Sequence, residues 1–334
     1  MNNNYNGFSV IKNYGEDLTN KVYLTDPAIA RDEELKTLMM VLLTPEKSAL
    51  LIGKAGVGKT SIVEGLAYRI MNKTVPNVLQ NYRVIKINSS SLIGKITYNG
   101  NEQMVVSVLV EELKQVNDVI IFIDEIHTLI GATSTNSMDL ANILKPVIDR
   151  GTVKLIGATT DMEYNTYVVR DRAFLRRFEK INVSEPDQPT TVEILYKSLP
   201  KIEKQTGIKF RYNEYVTRML LESIVSATSE YKRVYGLGAM YPDIAFSVLT
   251  SAFSQALFQN RPFVTTLDVY NAIRTSKRIY ADSIIKELDL FREKFKDVVM
   301  QEKITLPIVK REELEDNEIG GIQWEKYRLK IIWF

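Results

Sequence analysis

Residues 53–60 of this chain read Gly-Lys-Ala-Gly-Val-Gly-Lys-Thr, between the apolar run Ser48–Ile52 and a helical pattern over residues 61–71. This order of strand, glycine loop and helix is the P-loop arrangement. Small residues let backbone N–H groups turn toward phosphate oxygens, and the helix N-terminus adds positive potential. The chain is therefore predicted to bind a nucleoside triphosphate; the alternative is a plain glycine turn. The predicted contacts are Gly53, Ala55, Gly56, Val57, Gly58, Lys59, Thr60 and Ser61.

Two side chains of this loop have separate predicted tasks. The ammonium of Lys59 supplies positive charge to the β- and γ-phosphates. The hydroxyl of Thr60 is a ligand for Mg²⁺, which is therefore a predicted cofactor together with the nucleotide.

The composition is that of an ordinary soluble protein and excludes several kinds of site. The 334 residues are 45% hydrophobic and 25% charged, with a formal net charge of +2. There is no cysteine and one histidine, which excludes disulfides, thiolate chemistry and a multi-histidine metal centre. No signal peptide or membrane-spanning run is recognised, so a cytoplasmic location is expected.

Alternating strand and helix patterns predict the fold of the first half. Apolar runs typical of strands occupy residues 48–52, 83–88, 119–123, 153–157 and 180–183, and helical patterns occupy residues 31–43, 61–71, 102–116 and 138–148. Strands that alternate with helices indicate a parallel sheet sandwiched by helices. The expected fold class is thus an α/β P-loop NTPase.

After two prolines at 186 and 189 only helical patterns follow, over residues 190–206, 212–227, 244–258 and 266–277. We interpret this region as an all-helical lid. The predicted organisation is a flexible tail over residues 1–13, an α/β nucleotide-binding subdomain over 14–186, the lid over 187–278, and a C-terminal helix and tail over 279–334.

Two carboxylates follow the apolar strand that ends at residue 123. Asp124 is placed to hold Mg²⁺ directly or through water, and Glu125 to orient or deprotonate the attacking water. The alternative, ordinary polar residues at a strand end, is less favoured because a P-loop lies upstream. His127 follows closely, and a lone histidine is usually structural, so it receives no catalytic role.

Thr160 ends the next strand, where its hydroxyl is placed to bond the γ-phosphate or the attacking water. The alternative is a cap at a strand-to-turn junction.

Arg176 and Arg177 stand in tandem further on. A guanidinium suits the charge of a phosphoryl transition state, and these two are expected on the far side of the domain from their own P-loop. They would then serve a neighbour's nucleotide, which requires an oligomer, most simply a closed ring. A solvated basic helix or a phosphate-binding patch on DNA is the alternative.

The order of P-loop, Asp124-Glu125, the run Gly157-Ala-Thr-Thr160 and Arg176-Arg177-Phe178 resembles that of AAA+ ATPases. It is most similar to the first ATPase module of the Clp-type unfoldases and disaggregases, over about residues 14–185 and more weakly to 277. The resemblance implies a homo-oligomeric, hexameric ring that hydrolyses ATP with Mg²⁺ and acts on protein. It assigns Thr160 as the sensor of the γ-phosphate and Arg176 and Arg177 as the arginine fingers.

The resemblance also assigns Ile29, Ala30 and Arg31 to the adenine pocket and Tyr98 to the substrate-gripping pore loop. Two departures from the family pattern stand out. Asn99 occupies the place of a basic residue after the aromatic one, and Asn-Gly is also a hairpin-turn signal. Ala239 occupies the place of an arginine expected in the lid.

Three functions are compatible with these residues. A ring-forming motor that remodels or threads protein is favoured. A nucleotide-gated scaffold that hydrolyses little is the second, and the missing lid arginine supports it. A DNA-associated ATPase of transposition or replication is the third, but the near-neutral charge and the lack of a recognisable DNA-binding module argue against nucleic acid.

Overall fold

A six-stranded, mostly parallel sheet forms the centre of the first half of the molecule. The computed structural model describes residues 9–130, 143–144, 146–147, 153–234, 240–309, 311 and 314. Strands β2 and β6 are buried along almost their whole length, as expected for apolar runs covered on both faces. The described residues form eight strands: β1 Gly15–Asp17, β2 Ser48–Ile52, β3 Arg83–Asn88, β4 Lys95–Tyr98, β5 Asn101–Met104, β6 Val119–Asp124, β7 Val153–Thr159 and β8 Phe178–Asn182.

The order of the strands brings the predicted chemistry to one edge. Six strands follow the order β1-β3-β6-β7-β2-β8, in which β1 alone is antiparallel to its neighbour. Ile52 at the end of β2 pairs with Thr159 at the end of β7, and Asp124 at the end of β6 pairs with Asn88. The carboxyl ends of β2, β6 and β7 therefore lie together, where ligands of open α/β sheets bind.

Helices flank this sheet, and the predicted α/β P-loop fold with a helical second half is confirmed. The α-helices in the described residues of the first half are Ser9–Tyr14, Asp32–Leu43, Lys59–Met71, Ser89–Leu92, Val105–Leu113, His127–Ile130, Asp161–Glu163 and Arg172–Leu175. A π-helix lies at Tyr164–Val168, and short 3-10 helices lie at Leu18–Asn20 and Asn77–Leu79. Most of the helix predicted over residues 138–148 lies outside the described residues.

The helix predicted over residues 102–116 is shorter than expected, because its first part belongs to a β-hairpin. Strands β4 and β5 pair antiparallel, with Tyr98 opposite Asn101. Asn99 and Gly100 between them have φ of 50° and 78°, the left-handed values of a two-residue hairpin turn. The helix starts only at Val105.

The interpretation of residues 1–13 as a flexible tail is wrong for residues 9–13. These residues lie in the helix Ser9–Tyr14, in which Val10 and Ile11 are buried. The fully buried carboxylate of Glu112 accepts hydrogen bonds from the backbone N–H groups of Val10 and Ile11, each at 2.9 Å. A partner about a hundred residues away thus fixes a segment that has little helical signal of its own.

The structure divides after Pro186 into two compact units, and the second, Asp187–Phe334, is helical. Its helices are Gln188–Thr206, Glu214–Ala227, Asp243–Phe258, Thr266–Arg274, Ala281–Lys294 and Lys296–Glu302. Phe291 and Phe295 share one core with Leu220 and Phe253. The C-terminal helix expected within residues 279–334 therefore lies over residues 281–302, in two segments that pack in the core of this unit.

Within the described part of the chain, no helix combines the length and the apolar character needed to cross a bilayer.

Candidate nucleotide-binding site

The P-loop follows β2 and leads into the 13-residue helix Lys59–Met71. Gly56 and Gly58 have φ of 82° and 99°, a backbone region that L side chains rarely adopt. These turns bring the loop to the helix N-terminus, whose first N–H groups have no partner inside the helix. The loop can thus surround a phosphate with backbone donors at the positive end of the helix dipole.

The start of the loop is tightly packed, which explains the glycine at position 53. A Cβ atom on Gly53 would lie 2.3 Å from the backbone oxygen of Val183, closer than any side chain tolerates. The backbone N–H of Gly53 donates to the oxygen of Thr159 at 3.3 Å. The loop therefore leaves the sheet in contact with the last residue of β7 and the first residue after β8.

Lys59 lies over the loop it belongs to. Its Nζ donates to the backbone oxygens of Gly53 at 2.7 Å and of Lys54 at 3.1 Å. Burial lowers the pKa of the Lys59 ammonium, although Asp124 and other nearby carboxylates act in the opposite direction. The partly buried ammonium of Lys59 has lost some of its hydration. A bound phosphate would replace that hydration and stabilise the positive charge strongly.

The two predicted magnesium ligands are in contact. The hydroxyl of Thr60 donates to Oδ2 of Asp124 at 2.9 Å. Mg²⁺ prefers hard oxygen ligands and usually takes one or two from protein, with the rest from phosphates and water. No cluster of three or more His, Cys, Asp or Glu suited to a metal occurs in the described ranges. The pair fits a cation shared with a nucleotide, not an all-protein metal centre.

Glu125 is exposed and has a left-handed backbone, with φ of 52°. Such a conformation costs roughly 1–2 kcal/mol for a residue with a Cβ atom, and surrounding contacts must maintain it. Thr128 supplies two of them, since its N–H and hydroxyl both donate to the oxygen of Glu125 at 3.0 Å. The turn places this carboxylate directly beyond Asp124 at the carboxyl edge of the sheet.

Thr160 follows the last residue of β7 and caps the short helix Asp161–Glu163. Its Oγ1 accepts the N–H of Glu163 at 3.3 Å, and the Glu163 carboxylate accepts the N–H of Thr160 at 3.0 Å. The cap that the sequence offered as an alternative role is thus present. It does not exclude the first role, because an accepting hydroxyl keeps its own hydrogen to donate.

Arg176 and Arg177 lie at the other edge of the sheet. They precede β8, and the backbone oxygen of Arg177 accepts the N–H of Ser48 at 2.8 Å. Ser48 starts β2, whereas the P-loop follows its other end. Four residue steps of a strand separate the two edges by roughly 13 Å. The structure therefore does not bring these arginines to the P-loop of their own chain.

The segment assigned to the adenine pocket packs on the P-loop. Arg31 is 7% exposed, and one of its Nη atoms donates to the backbone oxygen of Val57 at 2.7 Å. Ala28 packs closely on the helix Lys59–Met71 that follows the P-loop. A Cβ atom added to Gly65 in that helix would lie 2.2 Å from the Cβ atom of Ala28. Ala30 has φ of 55°, a value that favours glycine, and Ile29 is half-buried.

Tyr98 is placed differently from an aromatic residue on a mobile loop. It ends β4, is half-buried, and packs with Ile96 and Met104 against the core of the α/β unit. The pore-loop candidate is therefore a paired hairpin whose tip is Asn99-Gly100. Ala239, where the family has an arginine, lies outside the described residues.

Sequence reasoning missed Glu163 and set His127 aside, yet the two side chains meet. Nδ1 of His127 lies 3.2 Å from Oε2 of Glu163. Burial raises the pKa of Glu163, but hydrogen bonds from Thr160 and the nearby His127 outweigh it and leave this pKa below its usual value. The spacing Thr160-x-x-Glu163 is the capping-box pattern, and this pattern is the feature of the sequence from which the position of the Glu163 carboxylate could have been predicted.

A comparison with protein-family models matches the α/β unit of the chain. Residues 49–184 match the model described as "ATPase family associated with various cellular activities (AAA)". The chain carries an AAA domain with Clp-family homologues. The matched range begins within β2 and ends two residues after β8, so this AAA domain holds the P-loop and both sheet edges described above.

Curated relatives of this chain include chaperones and a homologue of a protease ATP-binding subunit. The chaperone protein ClpB of Wolinella succinogenes is 35% identical over 326 residues, which are 93% of this chain and 36% of that protein. A homologue of the ATP-dependent Clp protease ATP-binding subunit ClpA from Guillardia theta is 35% identical over 254 residues, 75% of this chain and 30% of that protein. The chain thus spans about a third of the length of these curated relatives.

Solved structures of Hsp104 are similar in fold to this chain. A closed-state Hsp104 with ATPγS and FITC casein matches with a TM-score of 0.66 and 30% identity, covering 79% of this chain and 45% of that one. The extended conformation of the S. cerevisiae Hsp104:casein complex matches with a TM-score of 0.66 and 26% identity, covering 91% and 54%.

Proposed function

We propose that this protein forms a homo-oligomeric, hexameric ring that couples Mg-ATP hydrolysis to the remodelling or threading of protein. The relatives support the class of activity, since their names are those of chaperones and protease ATP-binding subunits. Two of the similar Hsp104 structures contain casein, a protein substrate or partner of the kind proposed here.

The placement of the arginine pair is the observation that carries this proposal. Arg176 and Arg177 lie at the edge of the sheet opposite to Lys59, so they cannot complete the site of their own chain. Phosphoryl transfer needs positive charge on the γ-phosphate oxygens, and arginine supplies it best. A head-to-tail contact would bring one subunit's arginines to the next subunit's P-loop, and repetition of this contact closes a ring.

The remaining roles follow from the same edge of the sheet. Thr60 and Asp124 would hold Mg²⁺, which neutralises phosphate charge when bound. Lys59 binds the β- and γ-phosphates, and the loop N–H groups orient them. Glu125 holds the attacking water and accepts its proton, while Thr160 donates its hydroxyl hydrogen to the γ-phosphate or that water. Ile29, Ala30 and Arg31 form one wall for the adenine, and Arg31 also fixes the loop through Val57.

The arginine pair gives the direct test. We expect the variant Arg176→Ala/Arg177→Ala to lose about 10³-fold in kcat for ATP, the usual worth of an arginine finger. Its affinity for a fluorescent ATP analogue should stay within about twofold, because the P-loop is intact. Arg172→Ala is the matched control, since Arg172 is exposed and carries the same charge a few residues upstream. Normal turnover in the double variant would contradict the shared site.

Tyr98 is the proposed grip on the polypeptide substrate. The aromatic residue stands at the end of β4 beside a two-residue turn, so the turn fixes the direction of its backbone. A ring contacts chains of any sequence through apolar area, which suits a motor without strict sequence preference. The neutral Asn99 at the tip makes the grip less dependent on acidic substrates than a basic residue would.

We expect Tyr98→Ala to reduce protein unfolding per ATP hydrolysed at least tenfold, because the ring supplies the contact area of the grip. The measurement is loss of fluorescence of a tagged reporter protein, divided by phosphate released. Tyr98→Phe is the control, since it keeps the ring that packs on the core and should retain most of the unfolding. If Tyr98→Ala unfolds as much reporter per ATP as the wild type, Tyr98 is not the grip, and Asn99-Gly100 is only a hairpin turn.

A nucleotide-gated scaffold is the second candidate, and Ala239 in place of the lid arginine favours it. A scaffold of this kind would bind ATP with the same residues and release phosphate slowly. Wild-type turnover below about one per minute, unchanged by protein substrate, would support the scaffold over the motor. A rise of ATPase activity with DNA that salt abolishes would instead support the DNA-associated function.

A further inference from the structure

His127 joins two segments of the candidate site that the sheet alone does not connect. It is the single histidine of the chain, and its side chain is 13% exposed. Nδ1 lies 3.2 Å from Oε2 of Glu163 and 3.2 Å from Oγ1 of Thr159. The imidazole also stacks on Tyr167, with ring centroids 6.1 Å apart. The side chain is therefore held on two sides in one orientation.

The chemistry of these partners fixes the direction of the hydrogen bonds. An ionised carboxylate only accepts, so the 3.2 Å approach of Nδ1 of His127 to Oε2 of Glu163 is favourable only with the hydrogen on Nδ1. The hydroxyl of Thr159 donates to the same carboxylate oxygen at 3.3 Å. The N–H of Thr160 donates to it at 3.0 Å. Oε2 of Glu163 thus accepts hydrogen bonds from Thr159 and Thr160 and lies 3.2 Å from Nδ1 of His127.

Glu163 in turn orients Thr160. The N–H of Glu163 donates to Oγ1 of Thr160 at 3.3 Å, which completes the reciprocal cap. A threonine hydroxyl that accepts a backbone hydrogen bond is confined to one side-chain rotamer. Its free hydrogen then has a restricted range of directions, which depends on where Glu163 lies.

The other end of the connection is Glu125. Its strained backbone is held by Thr128, which belongs to the helix His127–Ile130. Ile126 lies between Glu125 and this helix, and its N–H donates to the backbone oxygen of Ala158 in β7 at 3.0 Å. The short helix that carries His127 therefore supports Glu125 from one side and is attached to the end of β7 from the other.

We propose that His127 and Glu163 are a positioning pair that fixes the hydroxyl of Thr160 relative to the carboxylate of Glu125, and so sets the rate of ATP turnover rather than the affinity for ATP. This inference rests on the ATPase function proposed above. Neither side chain belongs to the P-loop or the predicted magnesium ligands. Their role is to hold two other groups at the spacing that water attack requires, where a small misplacement already lowers the rate.

The test is a set of single and double variants of the 334-residue chain. We expect His127→Ala and Glu163→Ala each to lower kcat about tenfold while KM for ATP stays within about twofold. The double variant should be no slower than the slower single one, because both changes break one connection. His127→Asn should recover most of the activity, since the asparagine amide can donate to Glu163 from nearly the place of Nδ1.

Controls separate this role from a purely structural one. Asn213→Ala removes a helix cap in the helical unit, where Asn213 accepts the N–H of Val216 at 2.9 Å, and should leave kcat unchanged. Thermal unfolding midpoints identify any variant that fails to fold, and His127→Asn and Glu163→Gln then carry the test. An unchanged kcat in His127→Ala, additive losses in the double variant, or no recovery in His127→Asn overturns the pair. A wild-type chain without turnover overturns the proposed ATPase itself, which is a different outcome.

Discussion

Replacing Glu125 by glutamine is expected to stop ATP turnover and to leave ATP binding intact. Glutamine keeps the size and shape of the side chain but cannot accept a proton from the attacking water. Loss of a general base lowers kcat by about 10²–10⁴-fold. The P-loop, Thr60 and Asp124 are untouched, so the nucleotide should bind as before.

Phosphate release and binding of a fluorescent ATP analogue, measured on the same preparation, check this expectation. Glu102→Gln is the matched control, because Glu102 lies in an exposed ion pair with Lys95 on the hairpin, away from the P-loop. That variant should hydrolyse ATP normally. A Glu125→Gln protein that turns over at the wild-type rate would exclude Glu125 as the group that activates water.

Lys59→Ala should abolish ATP binding at ordinary concentrations. The ammonium is poorly hydrated where it lies, and a phosphate is its natural partner in the loop. A hydrogen bond between charged groups contributes about 1.5–3 kcal/mol, so its loss weakens binding by roughly 10- to 150-fold. Loss of long-range attraction adds to this, and we expect Kd to rise at least 100-fold.

The neighbouring Lys54 provides the control for charge alone. Lys54 lies in the same loop and is exposed, and Lys54→Ala removes the same formal charge. Its ATP affinity should change less than about threefold, because an exposed charge at this distance is screened. Isothermal titration of both variants with ATP decides the matter. Equal affinities in the wild type and Lys59→Ala would refute the assignment of the phosphate site.

The sheet was predictable because its strands are long apolar runs. The predicted strands over residues 48–52 and 83–88 have the same bounds in the structure. Residues that are buried on both faces leave little choice of conformation, and the P-loop fixed which strand leads into the site. The two-residue hairpin turn was also readable from Asn99-Gly100, although the strands beside it were not.

Those strands and the N-terminal helix depend on partners that are distant in sequence. Strand β4 is largely exposed, and its short pattern of polar and apolar residues carries no strong signal. The helix Ser9–Tyr14 is held by the buried Glu112, which a local pattern does not reveal. Pairing and burial across long separations override local propensity in such segments.

The site shows the same division. The residues of the P-loop and the strand ends could be named from motifs, because each motif fixes a local backbone shape. The connection between His127 and Glu163 could not, since it joins two short helices whose approach depends on the register of β6 and β7. The position of Tyr98 against the core likewise requires the three-dimensional structure.

A mixing experiment tests the central claim, that each nucleotide site is shared by two subunits, most directly. Lys59→Ala and Arg176→Ala/Arg177→Ala are expected to be inactive, each because it lacks a different half of the proposed site. Mixed one to one with ATP, the two proteins should assemble sites with an intact P-loop from one chain and intact arginines from the next. Random assembly predicts recovery of about a quarter of the wild-type ATPase activity. A mixture no more active than its two components, under conditions where wild-type subunits exchange, would contradict the shared site.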